Sequence, residues 1–440
     1  MEPIENQAED VTEYDLDVLA VGAGPANLAL AVALEESGHR RLAENTLLLE
    51  QHPDVKWQRN LLLPWARSQV SFLKDLVTLR NPRSKFSFLN YQYERGRLDE
   101  FVNLATFNPY RWELSDYQQW VAHSLDHVRV RYNARAERIE PRCAGDGGIT
   151  GWTVYLADGD RISCRDLVFG AGRDPHIPGV FANLPADKVI HSSQYCARIA
   201  QVAAAEESVR PVVVGGAQSA AEMFMAVHAD LPRSEPTMVL RSIGLQNYQT
   251  SKFVNELFYP SFVDEFYGCA GEVRGRILDE VHLTNYAGLA PPFLDELYSM
   301  LYRQKMLGER RSRIRSMTEV VAARMDGAEI VLDLRDRKSG KVEPLRCDTV
   351  LLGTGYDQRM PAMVRELVAR IGLAEPAVSR RYRVELGGSN WGALYLQGVN
   401  ERTHGISDSL ISVLAHRSQD IVDDLLDRRA VSGMAQVRSA

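Results

Sequence analysis

The stretch YDLDVLAVGAGPANLALAVALEE, from Tyr14 to Glu36, decides the fold of this chain. Its apolar run Asp17–Val21 predicts a buried parallel strand, and the alanine- and leucine-rich run Leu28–Leu34 predicts a helix. Gly22 permits a tight turn between them, and Gly24 lets the backbone approach a pyrophosphate at the helix N-terminus. The order of strand, glycine turn and helix predicts a dinucleotide-binding βαβ unit.

The second strand of this unit ends in a carboxylate. The run ENTLLLE finishes at Glu50, whose side chain can accept hydrogen bonds from a ribose. Pro25 follows the glycines, and Asn27 stands where the third glycine usually lies. Together these features favour a bound dinucleotide over a glycine turn without a ligand, and they suit FAD as well as NAD.

Composition and charge exclude several classes of function. A chain of 440 residues predicts two or three domains, and a net charge of −7 offers no broad basic surface for nucleic acid. Five scattered cysteines without a C-x-x-C pair argue against a disulfide framework and against a zinc site, so we expect no metal. The acidic N-terminus does not resemble a signal peptide, and no apolar run has the length of a membrane span, so we expect a cytoplasmic protein.

A second fingerprint, PVVVGGAQSAAE, begins at Pro211. Its spacing is Gly215, Ala217, Ala220, so alanine occupies the central position, and we expect weaker pyrophosphate binding than with glycine. The next strand, TMVLR, ends in Arg241, which can pair with a 2′-phosphate and favours NADP. A solvated loop arginine remains the alternative for this residue.

Two further strand-plus-glycine runs, DLVFGAGRDPHIP and DTVLLGTGYD, predict how the domains are arranged. The first resembles the strand by which two-dinucleotide flavoproteins re-enter the FAD domain. We therefore predict an α/β fold with two Rossmann-like dinucleotide-binding domains, for FAD and NADPH, and a small helical substrate-binding region. The predicted segments are a disordered arm at 1–13, FAD-binding parts at 14–205 and 341–440, and an NADPH domain at 206–340 with a helical substrate segment at about 251–310.

Two dinucleotide units imply that a nicotinamide delivers hydride to a flavin. The sequence also limits which acceptor can oxidise the reduced flavin. A disulfide reductase needs a cysteine pair beside the flavin, which the sequence lacks. Baeyer–Villiger and related flavin oxygenases carry the motif F-x-G-x-x-x-H-x-x-x-W between the two fingerprints. Here that interval contains HSSQYCARIA, which does not match. We therefore expect dioxygen to be the acceptor, in a different branch of monooxygenases.

Eight motifs resemble those of the flavin-dependent amine N-hydroxylases of siderophore biosynthesis. In chain order they are GAGPANLALA, QVSFLKDLVTLRNP, SFLNY, GGAQSAAE, FVNELF, TNY, GTGY and THGISDSLIS. Within that group the chain most resembles the L-ornithine N5-monooxygenases, from about residue 17 to 425. The resemblance implies that O2 and a C4a-hydroperoxyflavin hydroxylate the side-chain amine of L-ornithine, with FAD and NADPH as cofactors, to supply a hydroxamate siderophore precursor.

The resemblance also implies a set of site residues, with no catalytic side chain because the flavin performs the difficult step. Lys74 would face the substrate carboxylate, Asn255 would hold its α-substituents, and Asn285 would touch substrate and cofactor. The implied substrate-binding residues are Lys74, Asn255, Glu256, Asn285 and Ser412. The implied FAD-binding residues are Gly22, Gly24, Pro25, Asn27, Glu50, Trp57, Gln58, Gln69, Ser409, Leu410 and Ile411. The implied NADPH-binding residues are Arg111, Gly215, Gly216, Ala217, Gln218, Ser219, Arg241 and Asn285.

The chain departs from the family pattern at three positions. Gln58 follows the tryptophan where histidine is common, Ser68 stands where methionine is frequent, and Ala217 replaces a glycine. These departures bear on flavin exposure, coupling and NADPH affinity. Three alternatives stay open: hydroxylation of L-lysine, hydroxylation of putrescine or cadaverine, and a catalytically silent flavoprotein. Assembly into a homo-oligomer also stays open.

Overall fold

The computed structural model describes residues 15–205, 208–249, 251–286, 288–309, 311–387 and 391–439, so the arm predicted at 1–13 lies outside the described residues. The strands are β1 Leu16–Val21, β2 Thr46–Leu49, β3 Arg129–Arg131, β4 Ala136–Cys143, β5 Ile149–Leu156, β6 Arg161–Phe169, β7 Val189–His191, β8 Pro211–Val214, β9 Thr237–Val239, β10 Gln246–Asn247, β11 Gly288–Leu289, β12 Arg313–Arg315, β13 Thr318–Asp326, β14 Glu329–Asp336, β15 Val342–Cys347, β16 Thr349–Leu352 and β17 Leu394–Leu396. The α-helices are α1 Pro25–Glu36, α2 Arg40–Glu44, α3 Phe88–Glu94, α4 Leu98–Leu104, α5 Arg111–His123, α6 Tyr195–Ala205, α7 Gln218–Asp230, α8 Pro260–Gly268, α9 Gly271–Glu280, α10 Pro291–Met306, α11 Ala362–Arg370, α12 Glu401–His404 and α13 Leu414–Ser439.

The first sheet is built around β1. Its strand order is β3-β2-β1-β6-β5-β4, with β17 pairing β6, and β1 is parallel to both of its neighbours. Nearly all of β1 is buried because α1, α5 and α13 cover one face of the sheet, whereas α11 and the β4–β5 pair contribute to the core on the other. A continuous apolar strand is what a position covered on both faces requires. The βαβ unit predicted in this region is therefore present, from Leu16 to Leu49.

The second sheet is fully parallel, with the order β12-β9-β8-β16-β7. This sheet includes β7 and β16, which lie outside the limits of 206–340 predicted for the NADPH domain. Local sequence does not reveal which sheet a short apolar strand joins; here Thr349 lies opposite Pro211 and fixes β16 beside β8. The predicted α/β class with two parallel-sheet nucleotide domains is confirmed.

Two smaller units complete the fold. Strands β13, β14 and β15 form an antiparallel sheet between β12 and β16 in the chain, and β10 pairs with β11. The helical segment predicted at 251–310 contains α8, α9 and all of α10, which ends at Met306. Among the described helices, none is both long enough and apolar enough to cross a bilayer.

Candidate active site

The carboxyl ends of the central strands of both sheets border one cavity of about 2060 Å³. That volume exceeds the roughly 300–1,000 Å³ typical of a pocket for one small ligand. In parallel α/β sheets, dinucleotides bind outside the carboxyl ends of the strands. A single space that both nucleotide turns border can thus bring two cofactors and a substrate together.

Nearly all of the predicted site residues border this cavity. The two exceptions are Asn27, which is fully buried beside the first turn, and Glu256, which is exposed. The residues that line it are Gly22, Gly24, Pro25, Glu50, Trp57, Gln58, Gln69, Lys74, Arg111, Gly215, Gly216, Ala217, Gln218, Ser219, Arg241, Asn255, Asn285, Ser409, Leu410, Ile411 and Ser412. Their assignment to individual ligands remains a prediction.

The first glycine turn is shaped to receive an anion. Gly22 has a φ of +90°, and a Cβ there would come within 2.9 Å of the Cα of Ala171. Helix α1 follows, and its first turn contains a proline, lacks an acidic residue and has no side-chain cap. Its first amide groups are therefore not neutralised by a carboxylate, which is the arrangement that binds pyrophosphate. Residues of this turn thus fit the dinucleotide predicted for them.

Asn27 supports this turn from behind. Its Nδ2 donates to the carbonyl oxygens of Val21 at 3.0 Å and Gly22 at 2.7 Å. Its Oδ1 accepts a hydrogen bond of 2.8 Å from Nε2 of Gln397. A Cβ on Gly170 would approach the Asn27 amide group to 2.7 Å, so the two residues are packed closely. Asparagine therefore holds the turn through polar contacts at the position where a glycine usually permits close packing.

The contacts of Asn27 continue into a buried chain of polar side chains. Gln397 accepts from Nε of Arg417 at 3.1 Å, and Nη1 of Arg417 donates to Oδ1 of Asp408 at 3.0 Å. Oδ2 of Asp408 accepts from the backbone N–H of Asn400 at 2.7 Å. We call these five residues, each at most 2% exposed, the Asn27 network. It ties the first turn to residues 405–412, which contribute four predicted site residues.

Glu50 lies beside the same turn. Its carboxylate accepts from the backbone N–H of Ala23 at 3.3 Å and of His52 at 3.0 Å. Trp57 packs partly buried against the core around α1, and Gln58 adopts a left-handed conformation with a φ of +51°. The segment from Glu50 to Gln58 therefore follows the edge of the cavity, and its contact with FAD stays a prediction.

The second glycine turn is held by close packing of small residues, whereas a polar side chain holds the first. Gly215 has a φ of +143°, and a Cβ there would overlap the carbonyl oxygen of Gly353 and approach the Cβ of Ala220 to 2.9 Å. Ala217 has a φ of −111° and a ψ of −177°, an extended conformation that alanine adopts without strain. Helix α7 then begins at Gln218 with no acidic residue in its first turn, so this turn also suits an anion.

Helix α7 is joined to the first domain by a buried ion pair, which we call the interdomain ion pair. Nη1 and Nη2 of Arg111, on α5, donate to the two carboxylate oxygens of Glu222 at 2.8 and 2.6 Å. Nη1 also donates to the carbonyl oxygen of Leu61 at 3.0 Å. Arg111 lines the cavity, yet both terminal nitrogens are engaged by the protein. Its predicted contact with NADPH stays a prediction, and its observed contact is with Glu222.

Gln218 connects this ion pair to the rest of the site. Its Nε2 donates to Oε1 of Glu222 at 2.8 Å. Its Oε1 accepts from Nε2 of Gln69 at 3.2 Å and from the backbone N–H of Ala290 at 3.1 Å. One glutamine at the start of α7 therefore contacts the predicted flavin region and the segment that carries Asn285.

Lys74 is the cation of the predicted substrate set. Its Nζ donates to Oγ of Ser412 at 3.2 Å and lies 5.4 Å from the centre of the Phe258 ring. Partial burial lowers the pKa of Lys74 from its usual value. Asn255 and Asn285 line the same cavity. An ammonium group with two side-chain amides supplies donors for a carboxylate and acceptors for an ammonium group, as an amino acid requires.

Sequence reasoning missed a cluster centred on Glu401. The hydroxyl groups of Tyr286 and Ser409 both donate to Oε1 of Glu401, the latter at 2.6 Å. Arg173 lies 3.8 Å from the same carboxylate. The cluster ties the substrate segment to residues 405–412. Tyr286 directly follows the predicted residue Asn285 in the TNY motif, and this adjacency was the available signal.

Known proteins resemble this chain over nearly its full length. The model of a family described as L-lysine 6-monooxygenase/L-ornithine 5-monooxygenase matches residues 14–358. The L-ornithine N(5)-monooxygenase of Burkholderia cepacia is 40% identical over 89% of this chain and 90% of its own length. That of Pseudomonas aeruginosa is 38% identical over 93% of each. The ornithine N-hydroxylase of Kutzneria sp. 744, solved with reduced FAD, NADP+ and L-ornithine, gives a TM-score of 0.87 at 31% identity, over 94% of this chain and 99% of that one.

Proposed function

This chain belongs to the L-lysine 6-monooxygenase/L-ornithine 5-monooxygenase family, and we propose that it hydroxylates the side-chain amine of L-ornithine with FAD, NADPH and O2. It is a flavin-dependent monooxygenase, and the resemblance that its motifs predicted is confirmed. The observation that carries the proposal is the single cavity bordered by both glycine turns and by Lys74. Such a cavity can hold two dinucleotides and an amino acid, whose carboxylate would face Lys74.

The two turns suit the two cofactors. The first turn with Glu50 would hold FAD, and the second turn with Arg241 would hold NADPH. When bound, these cofactors supply the hydride transfer and the activation of dioxygen. The Asn27 network and the interdomain ion pair fix the two turns relative to the cavity, so the protein's own contribution is to bind and orient.

Lys74 would orient the amino acid. Its ammonium group, which Ser412 already positions, would pair with the substrate carboxylate, while Asn255 and Asn285 would accept from the α-ammonium group. Anchoring the far end of the substrate restricts where its side-chain amine can lie. Because Lys74 is partly buried, its attraction to a carboxylate is stronger than it would be in water.

L-Lysine is the closest alternative, because the family includes enzymes for both amino acids. The two relatives described above, which match 93% and 89% of this chain, are named for ornithine, which favours ornithine here. Putrescine and cadaverine lack a carboxylate and would leave Lys74 without its counter-ion. The hydroxylated side-chain amine is the group that a hydroxamate siderophore contains. We further propose a cytoplasmic location and leave homo-oligomer formation as a prediction.

Product analysis tests the substrate. Purified protein loaded with FAD should form a hydroxylamine from L-ornithine with NADPH, and less or none from L-lysine, putrescine or cadaverine. Each amine is assayed with NADPH and with NADH under the same conditions. Product from L-lysine alone would overturn the assignment to ornithine. NADPH oxidation without product from any of the amines would overturn the proposed reaction.

Replacing Lys74 tests how the substrate is held. Lys74→Met removes one charge-assisted contact, so the KM for L-ornithine should rise roughly 10- to 100-fold. The rate of flavin reduction by NADPH should be unchanged because Lys74 belongs to the substrate set. The matched control is Lys252→Met, since Lys252 is exposed in the neighbouring segment and does not line the cavity. An unchanged KM for Lys74→Met would remove this residue from the substrate site.

A further inference from the structure

Two arginines line the cavity beyond the carboxyl end of β9. Arg241 comes two positions after the last residue of β9, and Arg337 lies in the turn between β14 and β15. Nη1 of Arg337 donates to the backbone carbonyl oxygen of Arg241 at 2.7 Å. The guanidinium group of Arg337 is therefore fixed at the backbone of Arg241, although the residues are 96 positions apart.

Backbone contacts hold the β14–β15 turn in this place. The N–H of Arg337 donates to the carbonyl oxygen of Met317 at 2.7 Å, and the N–H of Met317 donates to that of Ser242 at 2.8 Å. The N–H of Thr318 donates to the carbonyl oxygen of Leu240 at 3.0 Å. Met317 has a φ of +50°, an unfavourable conformation for a residue with a side chain. Such a conformation persists where surrounding contacts determine it, so Met317, whose carbonyl oxygen accepts from Arg337, is itself held in place.

The charges at this corner of the cavity are unbalanced. In the part of the chain that the structure describes, neither guanidinium group has a carboxylate within ion-pair distance. The neighbouring acids are already engaged, since Glu319 pairs with Arg335 at 2.5 Å and Asp336 lies 3.5 Å from Nζ of Lys338. Two arginines that line one corner of the cavity without a carboxylate partner favour an anionic ligand at this position.

The position of Arg241 and Arg337 relative to the second glycine turn indicates which anion is expected. In a dinucleotide-binding unit, the residue after the second strand contacts the ribose 2′ position of the adenosine. A 2′-phosphate carries roughly −1.5 to −2 charges at neutral pH and offers three acceptor oxygens. We propose that Arg337 is a second residue that selects NADPH over NADH, because it binds the 2′-phosphate together with Arg241. This inference rests on the proposed use of NADPH at the second turn.

Flavin reduction measured with NADPH and with NADH tests this role. Arg337→Gln should lower kcat/KM for NADPH roughly 10- to 100-fold and leave the value for NADH within about twofold. Arg337→Lys should recover part of the loss because it restores the charge. The matched control is Lys338→Gln, which removes an adjacent exposed charge that does not line the cavity. Inhibition by 2′-AMP should weaken in Arg337→Gln, whereas inhibition by 5′-AMP should not.

Equal losses for NADPH and NADH, or an unchanged preference in Arg337→Gln, would overturn the inference. Wild-type protein that uses NADH as efficiently as NADPH would overturn it as well. Since the assay follows reduction of the flavin, its outcome does not depend on which amine is hydroxylated. Failure to hydroxylate L-ornithine would overturn the proposed substrate while leaving this test intact.

Discussion

The two glycine turns of this protein are held in place by different kinds of side-chain contact. In the first turn, Asn27 is fully buried and is bonded through Gln397 and Arg417 to residues far along the chain. In the second turn the equivalent position is Ala220, which packs against Gly215 and Gly353. The first turn is thus held by polar bonds within one domain. The second depends on close packing and on a helix that is tied to the other domain.

This difference suggests different tasks for the two turns. The Asn27 network connects the first turn to residues 405–412, so the parts of the predicted flavin site are fixed to each other. Helix α7 instead carries Glu222, whose partner Arg111 belongs to the first domain. An arginine of the first domain therefore aligns the second turn with the predicted flavin site. Substitutions in the two regions should separate retention of FAD from reduction by NADPH.

The largest effect is expected from Arg417→Met. Arg417 and Asp408 are almost completely buried, and removal of the arginine would leave the carboxylate without a counter-ion. Breaking such a pair costs about 3–5 kcal/mol, so the free energy of unfolding should fall by that amount. The purified variant should also retain less FAD because the first turn loses its support. Urea unfolding and the ratio of FAD to protein measure the two effects.

A surface pair provides the control for Arg417→Met. Arg381 pairs with Asp427 at 2.6 Å, and both side chains are largely exposed. Because exposed pairs contribute about 0–1 kcal/mol, Arg381→Met should change the unfolding free energy little. If both variants unfold alike and keep their FAD, the Asn27 network does not hold the first turn.

Local sequence was sufficient to predict both nucleotide units. A buried strand, a glycine turn and a helix are adjacent in the chain, so Asp17–Val21 and the run from Pro211 could be interpreted without tertiary contacts. The strands β7 and β16 could not be assigned, because short apolar strands fit either sheet and their hydrogen bonds decide between them. Local information therefore identified the two nucleotide units, whereas the pairing of these short strands required the tertiary structure.

The supporting residues of the site could not be predicted for the same reason. Gln397 reaches Asn27 across 370 positions, and Glu222 reaches Arg111 across 111. No spacing rule links such residues, and only the fold brings them together. Arg337 lies in a polar turn whose sequence resembles any exposed loop. Residues within recognised motifs were predictable, whereas their distant partners Gln397, Glu222 and Arg337 were not.

An intermediate effect is expected from Glu222→Gln. Glutamine keeps an acceptor for Arg111 but leaves its charge uncompensated, so the free energy of unfolding should fall by about 2 kcal/mol. The rate of flavin reduction by NADPH should fall, whereas the FAD content should match wild type. Rapid-mixing kinetics with NADPH and the absorbance of bound FAD measure the two quantities.

A paired replacement separates alignment from stability at this ion pair. Arg111→Met with Glu222→Met removes both charges, and apolar replacements of buried pairs are often neutral or stabilising. The double variant should therefore recover stability but not the rate of reduction, since α7 has lost its tie to α5. Recovery of both quantities would show that the interdomain ion pair contributes stability alone.

The smallest effect is expected at Ala217. Its backbone is extended and unstrained, so Ala217→Gly should change the unfolding free energy by less than about 1 kcal/mol. Removal of the Cβ allows closer approach of the pyrophosphate, so the KM for NADPH should fall roughly two- to fivefold at constant kcat.

Gly24→Ala is the reciprocal change at the first turn, where the nearest atom to the added Cβ is the carbonyl oxygen of Gly170 at 4.0 Å. Since the protein accommodates that methyl group, reduced FAD affinity in Gly24→Ala would report contact with the ligand. If Ala217→Gly leaves the KM unchanged while Gly24→Ala releases FAD, close approach matters at the first turn only.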